Sequence, residues 1–462
     1  MTETAPEVPE VEALWRWPEL CAALALDEVD GPDVTGISID SRTLTAGDLF
    51  IALSGDPGPR FNAASATNRD GHAYVPSALT RDAAGLLVSH PTRTGAPELL
   101  VGDTLDGLWA LGRAGRARLN GRVVAVTGSS GKTTVKAFLA AALDCPAAQG
   151  SLNNFWGVPL TLARTPAGSA WAICEIGTNH PGEIAPLAEL VQPDVALVLN
   201  VLPAHLEFFD SFDALRGEKL SITRGLRPGG TLVLPDDLSE DLDGDFERVC
   251  FGRSARADVR LVQYAGATHE ATLEIGANTF TARVPGGGEH RALSLAATMA
   301  CLVALGRDPS LASDLADALV PPGRGTRLDA GGLILIDDSY NANPVSMRAA
   351  LEELAAEPQG RRFALLGEML ELGDGSADYH AELGEACAGL DGVLCVGEAM
   401  RALHGDLPSS QQLGWHASVA EVDLDALLER FAPGDRVLIK GSNRVFWAQG
   451  FVTRVVEALQ KR

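Results

Sequence analysis

The chain has 462 residues, enough for about three domains of ordinary size, and 46% of them are hydrophobic, so several packed cores are affordable. Its formal charge of −24 at pH 7 argues against a nucleic-acid or anionic-membrane surface; an anionic substrate would need locally placed lysines or arginines. Seven scattered cysteines without a Cys-x-x-Cys pair, an acidic N-terminus and no apolar run near the roughly 18 residues of a membrane span predict a reduced, cytoplasmic protein without membrane insertion.

Residues 1–10 read as a disordered acidic tail. Val11–Leu26 is predicted to be a short amphipathic helix. Val34–Leu44 reads as a strand whose end carries Asp40-Ser41-Arg42, and Gly47–Leu53 as a turn and a second strand. Ser54–Asp70, rich in Gly, Pro, Asn and Ser, is predicted to be a loop; Tyr74–Ala84 a helix; Gly85–Ser89 a strand. These elements make a small N-terminal α/β domain, residues 1–102. Arg42 beside Asp40 reads either as a strand-end ion pair or as a ligand contact.

A helix over about 104–119 leads into Val123-Val-Ala-Val-Thr-Gly-Ser-Ser-Gly-Lys-Thr-Thr, a buried strand, a glycine turn and a helix start. Backbone N–H groups and the positive helix end favour polyphosphate there. Lys132 is suited to the outer phosphates and the Thr133 hydroxyl to a Mg²⁺; Gly128, Ser129, Ser130, Gly131 and Thr134 complete the cradle. The loop has two residues, not the standard four, between Gly128 and the Gly131-Lys132 pair.

Near-continuous apolar strands at 171–177, 195–200 and 230–234 alternate with helices, which predicts a mostly parallel sheet in a central P-loop domain, residues 103–320. Ligands bind at the carboxyl ends of such strands, where Glu175 and Asn200 fall, with His205 close behind. A carboxylate and an imidazole can hold a divalent ion, but a protonated lysine such as Lys219 cannot. Taken alone, His205 also reads as a surface histidine and Lys219 as a solvent-facing helix position.

Pro321-Pro-Gly-Arg-Gly325 reads as a hinge before a second alternating block, a C-terminal Rossmann-like doubly wound domain, residues 321–462, with strands near 333, 363, 392 and 436. Asp337-Asp338-Ser-Tyr-Asn341-Ala-Asn-Pro344 ends its first strand; strand-end carboxylates suit ribose hydroxyls, and an Asx turn with a helix cap is the alternative. Arg324 in the hinge is placed to reach a phosphoryl group when the domains close.

Together with Asn153-Asn154 and Gly157-Val-Pro159, Glu175-Ile-Gly177 with Asn179-His180 and Gly182-Glu-Ile184, Ala204–Glu207, Leu366–Gly373 and Lys440-Gly-Ser442, these motifs resemble the Mur ligases of peptidoglycan synthesis along nearly the whole chain. Within that family they resemble the branch that adds D-alanyl-D-alanine. The resemblance implies an ADP-forming amide ligase that uses ATP and two Mg²⁺ ions to join D-alanyl-D-alanine to UDP-N-acetylmuramoyl-tripeptide through an acyl phosphate, acting as a monomer. It implies that Lys219 is carbamylated and holds one Mg²⁺ with Glu175 and His205, while Thr133 and Glu175 hold the other. Lys132, Glu175, His205 and Lys219 then form the catalytic set. Asp338 and Asn341 would bind the nucleotide and Arg324 its phosphates; Ser41 and Arg42 would meet the UDP-sugar; Asn153, Asn154, Asn179 and His180 are candidate substrate contacts. The chain departs from the family at His290-Arg291 and Ser294, where asparagines are usual, and carries Glu368 where Asp is commoner. Two other readings stay open: another Mur-type or folylpolyglutamate-type ligase on the same fold, and a regulatory protein that binds nucleotide without ligation.

Overall fold

The computed structural model describes residues 12–56, 61, 69–146, 148, 150–203, 206–238, 242 and 244–461. The tail at 1–10, most of the 54–70 loop and His205 lie outside them, so the expectations made there are not addressed.

Three sheets organise the chain. The first joins β1 (Gly36–Ser38), β2 (Asp48–Ile51), β3 (Gly85–Val88) and β4 (Glu98–Leu100) in the order 1-2-3-4, all parallel. The helix expected over 11–26 is confined to Trp17–Ala23, where Trp17, Leu20 and Cys21 share the buried face, and Pro18 occupies the first turn. The helix expected over 74–84 stops at Leu79, because the chain must turn through Asp82 at φ 59° to enter β3.

The second sheet has eight strands, β5 (Arg122–Thr127), β6 (Trp171–Glu175), β7 (Val195–Val198), β8 (Thr231–Pro235), β9 (Glu247–Gly252), β10 (Val259–Ala265), β11 (Glu270–Ile275) and β12 (Asn278–Arg283), in the order 12-11-10-9-8-7-5-6. From β6 to β10 neighbours are parallel; β10, β11 and β12 form an antiparallel meander. Val123 and Ala125 enter one core cluster and Val124 and Val126 another, all fully buried, which is why β5 reads as an unbroken apolar run. The sequence reading missed β9 to β12. Strands β10 to β12 mix polar and apolar residues because one face is covered: Leu261, Ala271, Leu273 and Ala282 pack with Ala292 and Leu295 of the Glu289–Ala304 helix.

The third sheet comprises β13 (Thr326–Ala330), β14 (Leu333–Asp338), β15 (Arg362–Gly367), β16 (Gly392–Val396), β17 (Gln412–His416) and β18 (Arg436–Lys440), ordered 13-14-18-15-16-17. Only β13 is antiparallel to its neighbour. The two edge strands, β13 and β17, were not anticipated from sequence. Ala364 and Leu366 face one cluster and Phe363 and Leu365 the other, so this sheet is also covered on both sides.

The sheets meet in two different ways. The first and second share one hydrophobic cluster, in which Trp15, Leu49 and Ile51 pack with Leu108, Val158 and Leu162. Trp15 Nε1 donates to the Ala163 carbonyl at 2.8 Å and Arg164 Nε to the Ile37 carbonyl at 2.6 Å. The third sheet has its own two clusters and faces the second across a polar cleft. Among the described residues no helix is long and apolar enough to cross a membrane.

Candidate active site

The cleft, about 530 Å³, lies at the carboxyl ends of β5, β6, β7, β14 and β18, where open parallel sheets place ligands. β5 delivers the chain to the 128–131 turn, and Gly131 at φ 81° starts the Lys132–Ala142 helix. A side chain at Gly131 would meet Leu199 Cδ2 at 2.8 Å, so the turn requires glycine. The turn is braced by one side chain: Asn200 Oδ1 accepts from the N–H groups of Ser129 and Ser130, both at 3.0 Å. Lys132 Nζ donates to Gly128 O at 2.7 Å, and burial pushes its ammonium below the usual lysine range, partly offset by Glu175.

Glu175, 3% exposed at the end of β6, is the hub of the central wall. Its Oε2 accepts from Thr133 Oγ1 at 2.9 Å, its Oε1 from Asn153 Nδ2 at 2.8 Å, and Lys136 Nζ lies 3.4 Å from Oε2. Lys136 was missed in the sequence. The signal was there: it sits one turn after Lys132, on the same side of the helix.

Arg324 reaches this wall from the far side. Its Nη2 donates to Ser151 Oγ at 3.0 Å, and Ser151 Oγ is 3.1 Å from Thr133 Oγ1, so one hydrogen-bonded path runs Arg324–Ser151–Thr133–Glu175 across the cleft. The guanidinium lies 3.9 Å over the Tyr340 ring, which packs edge-on against Trp447. On the C-terminal wall Lys440 Nζ pairs with Asp338 Oδ2 at 2.6 Å and also donates to Asn341 O at 3.2 Å. Asn343 caps the Pro344–Ala355 helix, so the Asp338–Pro344 motif combines a cleft-lining carboxylate with a helix cap.

Lys219 corrects the reading of a solvent-facing position: it is 1% exposed in the last turn of the Phe212–Leu220 helix. Burial and the nearby Lys132 charge drive its amine well below the usual lysine value, against the pull of Glu218 and Glu183. Two of the expected substrate contacts have protein partners of their own. Asn154 Oδ1 accepts from Gly157 N–H at the start of the Gly157–Arg164 helix, and His180 packs on Phe208 with Nδ1 3.3 Å from Glu183. Asn153 and Asn179 line the cleft. Ser41, buried, and Arg42, exposed and bidentate to Asp40 at 2.7–3.2 Å, sit at the carboxyl edge of the first sheet, away from the cleft lining.

Where the sequence departs from the family's asparagines, Arg291 works as a brace. It is 5% exposed and donates to Gly286 O at 3.0 Å, Gly287 O at 2.7 Å and Arg324 O at 2.8 Å. A side chain at Gly325 would overlap its guanidinium. His290 opens onto the cleft, yet the surrounding protein, Arg291 and Lys440 push its imidazole well below the usual range. Ser294 Oγ is spent on His290 O at 3.0 Å.

Comparison with known proteins agrees with this architecture. Residues 126–302 match the Mur ligase middle domain, and residues 323–443 the Mur ligase, glutamate ligase domain. UDP-N-acetylmuramoyl-tripeptide--D-alanyl-D-alanine ligase of Escherichia coli (strain K12) is 36% identical over 396 residues, 81% of this chain and 84% of that one. The enzyme of that name from Bacillus subtilis (strain 168) is 30% identical over 441 residues, 91% of this chain and 93% of that one. Among solved structures, MurF from Acinetobacter baumannii superposes with a TM-score of 0.80 at 29% identity, over 97% of this chain and 100% of that one. MurF ligase from Thermotoga maritima in complex with ADP gives 0.74 at 28%, over 92% and 98%. On the phosphate turn, the two covered sheets and these similarities, the chain belongs to the Mur ligase family.

Proposed function

We propose that the chain is an ATP-dependent ligase that joins D-alanyl-D-alanine to UDP-N-acetylmuramoyl-tripeptide, releasing ADP and phosphate and completing the UDP-N-acetylmuramoyl-pentapeptide precursor of peptidoglycan. The observation that carries it is the Arg324–Ser151–Thr133–Glu175 path beside the phosphate turn, in a chain 36% identical to an enzyme of that name.

In this reaction a substrate carboxylate oxygen attacks the γ-phosphorus of ATP. The bond to the β,γ-bridging oxygen breaks, leaving an acyl phosphate and ADP. The dipeptide amine attacks the acyl carbon, and the tetrahedral adduct expels phosphate to form the amide. Two anions must be held together against their repulsion, so positioning and charge neutralisation are the protein's task. The 128–134 turn and helix start take the phosphates, Lys132 neutralises the outer ones and Arg324 steadies them, while Asp338 and Asn341 hold the nucleoside side. Asn153 and Asn179 are the substrate contacts supported by their position in the cleft wall; Ser41 and Arg42 serve the UDP-sugar.

Thr133 and Glu175 fit a Mg²⁺ site: a hydroxyl and a carboxylate 2.9 Å apart are hard oxygen donors. An ion at that pair would take its remaining ligands from phosphates and water. Bound there, Mg²⁺ supplies charge neutralisation at the phosphates. Glu175, His205 and a carbamylated Lys219 would hold a second ion. The deep burial of Lys219 supports this, because a neutral amine adds to CO₂ to give a carbamate and a proton, turning a cation into an oxygen ligand. In the same reading the chain divides at 1–102, 103–320 and 321–462 and acts as a cytoplasmic monomer on small molecules.

Sustained ADP release is expected only when both UDP-N-acetylmuramoyl-tripeptide and D-alanyl-D-alanine are present; equal ATPase activity without the dipeptide would favour the regulatory reading. Lys219→Ala is expected to lose activity and regain part of it with added short carboxylates. Full activity without rescue would remove Lys219 from the mechanism.

A further inference from the structure

Lys136 is a cation that the proposed reaction leaves without a task. It lies in the Lys132–Ala142 helix, is 3% exposed, and does not belong to the cleft lining that Lys132, Thr133, Thr134, Glu175 and Arg324 share. It therefore sits behind the wall, out of place for a contact with a nucleotide phosphate. A buried ammonium is retained where it is both paired and hydrogen-bonded. Lys136 meets both conditions: Nζ lies 3.4 Å from Glu175 Oε2 and donates to the Gly150 carbonyl.

Its partner is the carboxylate that the Mg²⁺ reading needs. Glu175 Oε2 accepts from Thr133 Oγ1 at 2.9 Å and has the Lys136 ammonium beside it, while Oε1 accepts from Asn153 Nδ2 at 2.8 Å. Burial works against the Lys136 charge and Glu175 works for it. Lys132 and Arg324 bring further positive charge to the same wall. Without a polyphosphate, the field at Oε2 is set by these cations and opposes a free dication; a polyphosphate reverses its sign.

We propose that Lys136 is a positioning residue that holds Glu175 for the metal and bars the site to free divalent ions, so that the metal is accepted only together with the nucleotide. The inference rests on the Mg²⁺ site read at Thr133 and Glu175 and adds a control on its filling. An ion on Oε2 must share that oxygen with an ammonium, and like charges in a water-poor wall repel more strongly than in solution. The bond to Gly150 O keeps the ammonium from swinging aside. Gly150 also precedes Ser151 and Asn153, so the same lysine ties down the segment that gives Ser151 to Arg324 and Asn153 to Glu175.

The test is a titration with Mn²⁺, read by the paramagnetic resonance signal of the free ion, with and without ATP. It is run in the Lys219→Ala background, so that the second proposed ion site does not contribute. With Lys136 present, Mn²⁺ is expected to bind weakly alone and tightly with ATP. Lys136→Met should bind Mn²⁺ without nucleotide about tenfold or more tightly than the Lys136 parent, because the repelling charge is gone. Lys136→Arg should stay near the parent, and adding Glu175→Gln to Lys136→Met should abolish the gain. Structural damage would weaken metal binding, not tighten it, so a gain identifies the charge. Lys136→Gln keeps an N–H donor for Gly150 O and serves as the second neutral variant, with folding of each checked by thermal melting. Neutral variants that bind nucleotide-free Mn²⁺ no tighter than the parent, while all bind it with ATP, would overturn the role of Lys136 alone. No Mn²⁺ uptake by any of them even with ATP would sink the metal site as well.

Discussion

The two junctions of the molecule are built on opposite principles. Between the first and second sheets the chain buries tryptophan, leucine and valine in one continuous cluster, with Trp15 and Arg164 each donating to a backbone carbonyl across it. Between the second and third sheets, among the described residues, the contacts are hydrogen bonds: Arg291 to Arg324 O, Arg324 to Ser151, Glu207 to Glu371. An apolar junction is non-directional and cannot open without exposing its whole area to water. A polar one opens by exchanging individual hydrogen bonds for water at about 1 kcal/mol each, or somewhat more where a charge is involved. The first junction therefore fixes a platform, and the second can close over a nucleotide and release it.

That contrast can be broken from either side. Glu175→Gln, at the polar junction, is expected to lower ligation about 10³-fold or more, about 4 kcal/mol of transition-state stabilisation, while shifting the melting temperature by only a few degrees. Product formation and calorimetry on the same sample measure both; a rate within tenfold of the parent would place Glu175 outside the chemistry. Trp15→Ala, at the apolar junction, should do the reverse. Trp15 is 2% exposed and lies under Arg118, whose guanidinium carbon is 3.4 Å from the ring centroid, so truncation is expected to destabilise by about 3 kcal/mol with the activity per folded molecule preserved. Denaturant unfolding monitors it, and a loss under 1 kcal/mol would mean the platform is not held as described.

Two smaller effects sharpen the comparison. Arg291→Ala removes a buried guanidinium that ties Gly286 and Gly287 to the 321–325 hinge, and the lost bond to Arg324 O is worth about 1.5 kcal/mol. Limited trypsin digestion should cut after Arg324 roughly tenfold faster. An unchanged cleavage rate would show that the hinge is held by something else.

The last test concerns His380, which is fully buried in the third-sheet unit. It accepts from Met369 N–H through Nε2 and, through Nδ1 at 2.6 Å, donates to Ser376 O, so the ring must be neutral. Burial lowers its pKa from 6.5, opposed by the Ser376 carbonyl and Glu368. Below pH 6.5 the unfolded chain binds a proton that the folded one refuses. Stability therefore holds above that pH and falls as the pH drops towards the depressed folded value, by at most about 1.4 kcal/mol per unit. Urea titrations between pH 7.5 and 5 should show this slope, and His380→Gln should flatten it; an identical slope in the variant would assign it to other groups.

Much of the architecture was legible in one dimension because buried parallel strands and phosphate turns have local signatures. Val123–Val126 read as a strand because both faces of β5 are covered, and Gly131-Lys132 read as a phosphate turn because a left-handed residue must precede that helix. Strands β10 to β12 escaped notice because a sheet with one wet face carries as many polar as apolar residues. Lys132, Thr133, Glu175, Asp338 and Arg324 were singled out by motif and strand-end position, and all five line one cleft. Asn154 and His180 also hold protein partners, a helix start and a neighbouring carboxylate, that spacing alone does not reveal.

By itself, the order of residues determined what depends on near neighbours: which segments are strands, where the turn can cradle phosphate, and which carboxylates end a strand. Burial and partnership were decided only by the folded chain, because they arise between residues far apart in sequence. Lys219 reads as an ordinary helix lysine until packing removes its water, and Lys136 as another until Glu175, 39 positions on, arrives beside it. Arg291 became a brace across the hinge for the same reason: a guanidinium finds its carbonyls only after three separate segments have been brought within hydrogen-bonding distance.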